Sequence, residues 1–214
     1  MENSKLVAEI LVGIKAVKFR LDPPFTYKSG IKSPVYTDCR LLMSYPTERQ
    51  VVVDALADVI AEELRVESIA RLGGTATAGI PHTAWVAQQL ELPMLYVRPK
   101  QKDHGTESKV EGVLNKGDRV VVIEDLVSTG GSCLDTVNVI REAGGIVDDV
   151  VSIYTYRMPE AEEAFKNANV KLHPLTDFQA TIDAAQKAGH LKQDEASIAR
   201  LWQRDPHTWD STKK

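Results

Sequence analysis

The sequence predicts an α/β protein with a central parallel sheet, helices on both faces and a small N-terminal cap. Three observations carry that expectation. Short apolar, β-branched runs recur at Ser68–Leu72, Met94–Val97, Val120–Ile123 and Val147–Tyr156. Segments of helical period lie between them, an alternation that builds parallel sheets covered on both sides. The run Val120–Ile123 is apolar throughout, as a strand buried on both faces must be.

The elements follow in order. Leu6, Ile10, Ile14 and Val17 recur at helical spacing, and Glu9 and Lys15 interrupt the apolar run, so residues 6–17 read as an amphipathic core helix and not as a signal peptide. A Pro/Gly-rich segment from Asp22 to Pro34 does not fit the repeat and forms the cap. Thr47 is expected to open the next helix, with Gln50 in capping-box position and Val52, Leu56, Val59 and Ile60 on one face. The strand Ser68–Leu72 leads into the glycine turn Gly73–Gly79 and a helix to Leu90; Met94–Val97 is the next strand, followed by a long charged loop. After Val120–Ile123 the period changes to Cys133, Val137, Ile140, a helical face that stops at Gly144-Gly145. Beyond Val147–Tyr156 a helix over Pro159–Ala168, a strand over Val170–Leu175 and helices from Thr176 complete the chain, with a polar tail from Asp205. The expected layout is one domain over residues 1–214: helix and cap in 1–45, α/β core in 46–175, C-terminal helices and tail in 176–214.

Composition narrows the class. A hydrophobic fraction of 43% with 26% charged residues is that of a water-soluble globular chain, and no apolar run reaches membrane-spanning length. The net charge of −4 argues against a nucleic-acid binder while leaving room for a local cationic patch. Cys39 and Cys133 show neither metal-ligand spacing nor a disulfide framework, so a reduced cytoplasm is expected.

The chemistry concentrates in Glu124-Asp125-Leu126-Val127-Ser128-Thr129-Gly130-Gly131-Ser132. A strand feeding a helix through this turn aims backbone N–H groups and the positive end of the helix dipole at one point, which is an anion site, most simply for phosphate. The two carboxylates beside it suit sugar hydroxyls, or a metal bridging sugar and phosphate. Gly74 and Gly79 share Walker A spacing, but Ile80-Pro81 follow where Lys-Ser/Thr is needed, which rejects an ATPase loop. Ser128 has neither a G-x-S-x-G elbow nor a neighbouring histidine, so a hydrogen-bonding role is preferred over a nucleophilic one. Arg98, Lys100 and Lys102 precede His104 with one acid among them, an imbalance suited to closing over a diphosphate and excluding water. His82, His173, His190 and His207 lack ligand-like spacing and read as structural or surface groups.

The segment around Glu124-Asp125 resembles the signature by which phosphoribosyltransferases bind 5-phosphoribosyl 1-diphosphate (PRPP). Residues 98–105, Arg-Pro-Lys-Gln-Lys-Asp-His-Gly, look like the mobile catalytic loop of the orotate phosphoribosyltransferases. Residues 28–34, Lys-Ser-Gly-Ile-Lys-Ser-Pro, resemble that family's N-terminal element, and the three stretches stand in the family's order within Leu6–Arg157. The resemblance implies a type I phosphoribosyltransferase fold and transfer of the phosphoribosyl group from PRPP to orotate, with Mg²⁺ held mainly by substrate and no dedicated protein ligands. It assigns Glu124 and Asp125 to the ribose hydroxyls, Leu126 to Ser132 to PRPP, and Thr75, Ala76 and Thr77 to its pyrophosphate. Lys28 would reach the PRPP site, and Ser128, Arg157, Lys28 and Tyr36 would surround orotate. Arg98, Lys102, His104 and Asp125 are the implied catalytic residues, with Lys100 beside them on PRPP and the choice between Lys102 and His104 at the leaving group left open. A homodimer sharing the loop Arg98–Gly112 is also implied. Two rivals differ in specificity or class: a purine phosphoribosyltransferase, disfavoured by the Lys-Ser-Gly and Lys-Asp-His-Gly elements and Arg157, and a PRPP-sensing nucleic-acid regulator, disfavoured by the acidic total.

Overall fold

The computed structural model describes residues 2–27, 30–99 and 109–209. Helix α1 (Glu2–Gly13) is followed by four short strands, β1 (Val17–Phe19), β2 (Phe25–Thr26), β3 (Lys32–Ser33) and β4 (Val35–Thr37), and a 3₁₀ turn over Cys39–Ser44. Then come α2 (Pro46–Asp58), β5 (Arg71–Thr75), α3 (Gly79–Leu90), β6 (Met94–Val97), β7 (Val110–Glu111), β8 (Val120–Val127) and α4 (Gly131–Glu142). The chain continues through β9 (Asp149–Thr155), α5 (Pro159–Asn167), β10 (Lys171–Asp177), α6 (Phe178–Lys187) and α7 (Gln193–Arg204).

The central sheet has the order β10-β9-β8-β5-β6-β7. Five strands are parallel, as expected. The sixth, β7, runs antiparallel to β6, with Tyr96 opposite Glu111 and Val97 opposite Val110. It is the return of the charged loop, and a return closing directly beside its own strand must be antiparallel.

Alternation along the strands divides the interior in two. Val121 and Ile123 of β8 join Val151 and Ile153 of β9 in a core with Leu11, Leu56, Val86 and Phe178 from α1, α2, α3 and α6. Val120 and Val122 point the other way, onto Val137 and Ile140 of α4 and Phe165 of α5. Both faces are therefore covered by helices.

The cap consists of two antiparallel pairs outside the main sheet, β1 with β4 and β2 with β3. It is tied down by the Thr37 N–H donating to Tyr156 Oη at 3.1 Å and the Trp202 indole donating to the Lys32 carbonyl at 2.8 Å. Trp202, fully buried on α7, stands edge-on to Tyr27 and Tyr156. The last helix thus clamps the cap onto the sheet.

Several boundaries differ from the sequence expectation. Helix α1 ends at Gly13, and Lys15 with φ +59 reverses the chain so that Val17 enters β1. Helix α2 opens at Pro46, whose fixed φ suits the first helical turn, so Thr47 caps nothing. Strand β5 lies three residues beyond the expected Ser68–Leu72 and contains Gly73 and Gly74. A Cβ on Gly73 would meet Ile140 Cδ1 and Val120 Cγ1 at 3.1 Å, so this glycine is a packing residue within a strand and not a turn residue. Strand β10 runs through Asp177, whose carboxylate accepts from the Ala180 N–H at 3.0 Å and starts α6 at Phe178 instead of Thr176.

Candidate active site

The carboxyl ends of the parallel strands carry the candidate site, the edge where such sheets bind ligands. Glu124 and Asp125 lie inside β8, which continues to Val127. Glu124 is 4% exposed. Its Oε1 accepts a hydrogen bond from the Asp125 N–H at 3.0 Å; its buried Oε2 makes none, although the Thr75 hydroxyl stands near enough to favour the ionised form. Desolvation, then the neighbouring charge of Asp125, raises the Glu124 pKa well above the ordinary carboxylate range. Desolvation also raises Asp125, opposed by the Glu124 side chain, the Leu126 amide and Arg40. Two carboxyl groups that resist ionisation in one place await hydroxyl donors or a cation.

The turn after β8 has the expected form. Ser128 is half-buried, Thr129 exposed, and Gly130 caps α4 in the left-handed region at φ +86. A Cβ on Gly130 would sit 2.9 Å from Phe165 Cε2, so α5 shapes the turn from below. Helix α4 then starts at Gly131, and its first amides have no intrahelical acceptor. Across the cleft, Gly79 opens α3 against β8, where a Cβ would approach the Ile123 carbonyl to 2.7 Å. That contact brings the 75–78 loop over the carboxylates.

Two clefts meet here. One, of about 230 Å³, is lined by Thr37, Asp38, Arg40, the 75–78 loop, Glu124, Asp125, Leu126 and Ser132. The other, of about 380 Å³, shares Thr75, Ala76 and Ser132 and extends to Arg98, Pro99 and Lys109. One wall thus offers carboxylates, another backbone turns, and the far end cations.

No model of a known protein family matches the sequence. Curated relatives do. The chain is 44% identical over 209 residues to an orotate phosphoribosyltransferase of Lactobacillus johnsonii, covering 98% of this chain and 97% of that one. It is 42% identical to the orotate phosphoribosyltransferase of Coxiella burnetii, again over 209 residues, covering 98% and 99%. The chain belongs to the orotate phosphoribosyltransferase family. Among solved structures it resembles the orotate phosphoribosyltransferase of Aeropyrum pernix at a TM-score of 0.73 and 33% identity, covering 86% of this chain and 98% of that one. It also resembles the UMP synthase of Leishmania donovani at a TM-score of 0.80 and 28% identity, covering 94% of this chain and 42% of that one. The architecture is that of a type I phosphoribosyltransferase.

As a member of the orotate phosphoribosyltransferase family, the chain holds its predicted site residues in three groups. Thr75, Ala76, Thr77, Glu124, Asp125, Leu126 and Ser132 share the first cleft, and Arg98 lines the second, its Nε 2.8 Å from Glu111 Oε1. Val127, Ser128, Thr129, Gly130 and Gly131 form the strand end and turn beside them. Arg157 and Tyr36 stand apart. Arg157 follows β9 at the same sheet edge, but its Nε lies 2.6 Å from Asp177 Oδ2 and its side chain is half exposed. Tyr36 stacks on Phe25, ring centroids 5.6 Å apart, on the cap. Lys28, Lys100, Lys102 and His104 lie outside the described residues.

The sequence reading missed Asp38 and Arg40 in the first cleft and Lys109 in the second. A signal existed for the first two. Opposite charges two residues apart, directly after a cap strand, can close a turn and fix a side chain at its mouth.

Of the four histidines read as structural or surface groups, His82 is fully buried with neither ring nitrogen hydrogen-bonded, and His173 is buried with Nε2 2.9 Å from Asp149 Oδ1. Both belong to the scaffold. Among the described residues no helix is long and apolar enough to cross a membrane.

Proposed function

We propose that the chain transfers the phosphoribosyl group of PRPP to N1 of orotate, releasing pyrophosphate and giving orotidine 5′-monophosphate for UMP synthesis, as a cytoplasmic homodimer using Mg²⁺. The observation that carries this reading is the meeting of buried Glu124 and half-buried Asp125, the α4 turn and the 75–78 loop in one cleft of a chain from this family.

Each wall has a task. The Ser128–Ser132 turn binds the 5′-phosphate through its amides and the α4 dipole. The Thr75–Thr77 backbone binds the diphosphate. Glu124 and Asp125 accept hydrogen bonds from the ribose hydroxyls, which relieves the desolvation that keeps them from ionising. Their charge also faces the positive charge that grows on the ribose as the C1–oxygen bond breaks. The bonding pair leaves with pyrophosphate, N1 attacks C1, and N1 gives up its proton. Arg98, Lys100, Lys102 and His104 neutralise the departing diphosphate and exclude water. Ser128, Tyr36, Lys28 and Arg157 hold orotate, Arg157 releasing Asp177 to pair with its carboxylate.

The donor set suits a metal carried in by the substrate. Glu124 Oε2 is a buried carboxylate oxygen without a hydrogen bond, yet among the described residues no group of three or more His, Cys, Asp or Glu side chains is placed to hold a metal ion. Mg²⁺ bound to the diphosphate would add charge neutralisation of the leaving group, with Glu124 and Asp125 beside it.

Product formation from PRPP with orotate, uracil, hypoxanthine or adenine, each with Mg²⁺ and after chelation, tests the reading. Turnover of orotate alone, lost on chelation and restored by Mg²⁺, is expected. Preference for a purine overturns the base assignment, and full activity after thorough chelation overturns the metal.

A further inference from the structure

The first cleft presents a charge problem. PRPP brings a diphosphate into a space that already holds Glu124, Asp125 and Asp38, and Glu124 and Asp125 repel it once the ribose hydroxyls favour their ionised forms. Among the described lining residues one basic side chain faces them, Arg40, contributed by the cap and not by the sheet.

Its geometry is unusual for a surface arginine. Nε donates to Asp38 Oδ1 at 2.7 Å and Nη2 to Asp38 Oδ2 at 3.0 Å, a side-on fork. The same Asp38 Oδ1 also accepts from the Arg40 amide at 3.2 Å, so one carboxylate fixes both the backbone and the side chain. Asp38 is itself anchored, its N–H donating to the Ala16 carbonyl at 2.8 Å, while the adjacent Thr37 N–H is bound to Tyr156. The guanidinium is thus ordered before any ligand arrives, which lowers the entropy lost on binding. Asp38 occupies only the Nε/Nη2 edge. The Nη1/Nη2 edge retains its protons, and the side chain is 54% exposed. A planar fork with one edge clamped and the other open matches the oxygens of a phosphate group.

The neighbours select which phosphate. The 5′-phosphate is taken by the α4 turn, and Arg157 lies outside this cleft. The remaining anion is the diphosphate, and the loop that receives it, 75–78, lines the same cleft as Arg40. We infer that Arg40, braced by Asp38, is a substrate-binding residue for the diphosphate of PRPP, holding it from the cap side against the repulsion of Glu124 and Asp125. Arg40 also favours the ionised form of Asp125, so one cation serves both the ligand and the carboxylate opposite it.

The inference rests on the reading of this cleft as the PRPP site, and the test separates the two. Arg40→Ala, Arg40→Lys and Asp38→Asn are compared with the unaltered protein by steady-state kinetics in both substrates, by calorimetric titration with inorganic pyrophosphate, and by melting temperature. Arg40→Ala should raise the PRPP KM and the pyrophosphate Kd about tenfold or more, with the orotate KM changed less than about twofold. Arg40→Lys keeps the charge but loses the fork, and should fall between Ala and the unaltered protein. Asp38→Asn should weaken pyrophosphate less than Arg40→Ala does. Unchanged PRPP KM and pyrophosphate Kd in Arg40→Ala overturn the inference, as does a rise confined to the orotate KM. If Arg40→Ala does not fold, Arg40→Lys decides: affinity for pyrophosphate equal to that of the unaltered protein overturns it. An unaltered protein that fails to consume PRPP with orotate overturns the proposed function instead.

Discussion

Glu124 and Asp125 are consecutive on β8, and the amide of one is bound by the carboxylate of the other at 3.0 Å, yet they bear on different neighbours. Glu124 acts on Thr75 and Cys133, Asp125 on Asp38 and Arg40, and both on the buried Cys39. An extended strand turns successive side chains to opposite faces, so the pair can flank a ribose. Before substrate arrives, Glu124 destabilises the fold. Its pKa in the folded chain is raised, so the native state holds a proton that the unfolded chain has already lost, and stability falls as pH rises above 4.5 toward the raised value. Glu124→Gln should therefore raise the melting temperature at neutral pH by about 2–4 °C, taking ~1 kcal/mol of relief. It should also lower kcat by about tenfold or more through loss of transition-state charge stabilisation. Melting curves and turnover measured on one preparation check both; a destabilised Gln variant contradicts the account.

Gly79 sets the approach of α3 to β8. A Cβ there would stand 2.7 Å from the Ile123 carbonyl, a backbone atom that cannot swing aside. Gly79→Ala should cost about 1–3 kcal/mol of stability and lift the 75–78 loop, raising the PRPP KM more than the orotate KM. Gly13→Ala, in α1 with nothing within 4 Å of its added methyl, is the control and should be neutral or stabilising. Equal melting temperatures for the two variants would remove the contact from the explanation.

His82 makes the protein sensitive to acid. Burial, with a smaller contribution from Arg49, brings its pKa from 6.5 down to about 4. Below pH 6.5 the unfolded chain takes up a proton that the folded chain refuses, so stability is lost as pH falls through 6.5 toward 4. His82→Leu removes this cost and two nitrogens that have no hydrogen bond. Urea unfolding at pH 7 and pH 4.5 should show an acid loss smaller by about 2–3 kcal/mol in the Leu variant. Parallel losses in both proteins would exclude His82 as the source.

The β8–α4 unit was legible in the sequence because local signals agree. A β-branched run makes the strand, a glycine turn ends it, and a 3.6-residue period follows. Strand β5 was legible in kind but not in position. Gly73 and Gly74 carry no β signal, and their place inside the strand depends on Ile140 and Val120, which only tertiary packing brings close. Arg40 was missed for a related reason. The Asp38–Arg40 spacing signals a braced side chain, but its meaning comes from facing Glu124 and Asp125, more than eighty residues away, and that placement is tertiary. The antiparallel return at β7 likewise depends on where a long charged loop closes.

Arg157 is held by Asp177 at 2.6 Å at the sheet edge, away from the first cleft. If it exchanges this partner for the carboxylate of orotate, Arg157→Ala should raise the orotate KM about tenfold or more and leave the PRPP KM within about twofold. Steady-state kinetics in both substrates check this, and an unchanged orotate KM removes Arg157 from the base site.

The loop that leaves β6 at Arg98 and returns through β7 is long enough to reach past its own sheet edge. If it completes the site of a second copy, a symmetric dimer contains two composite sites, each with Asp125 from one chain and Lys102 from the other. Asp125→Ala and Lys102→Ala should then each be nearly inactive as pure proteins. In a mixed dimer both lesions fall in one site and the other is intact. Co-refolding equal amounts gives about half mixed dimers by random pairing, so about a quarter of all sites should regain full activity. The measurement is specific activity of the co-refolded sample, with mixed dimers verified by differential tags. If both parents are inactive and the verified mixed dimer is inactive as well, the loop serves its own subunit and the shared site is ruled out.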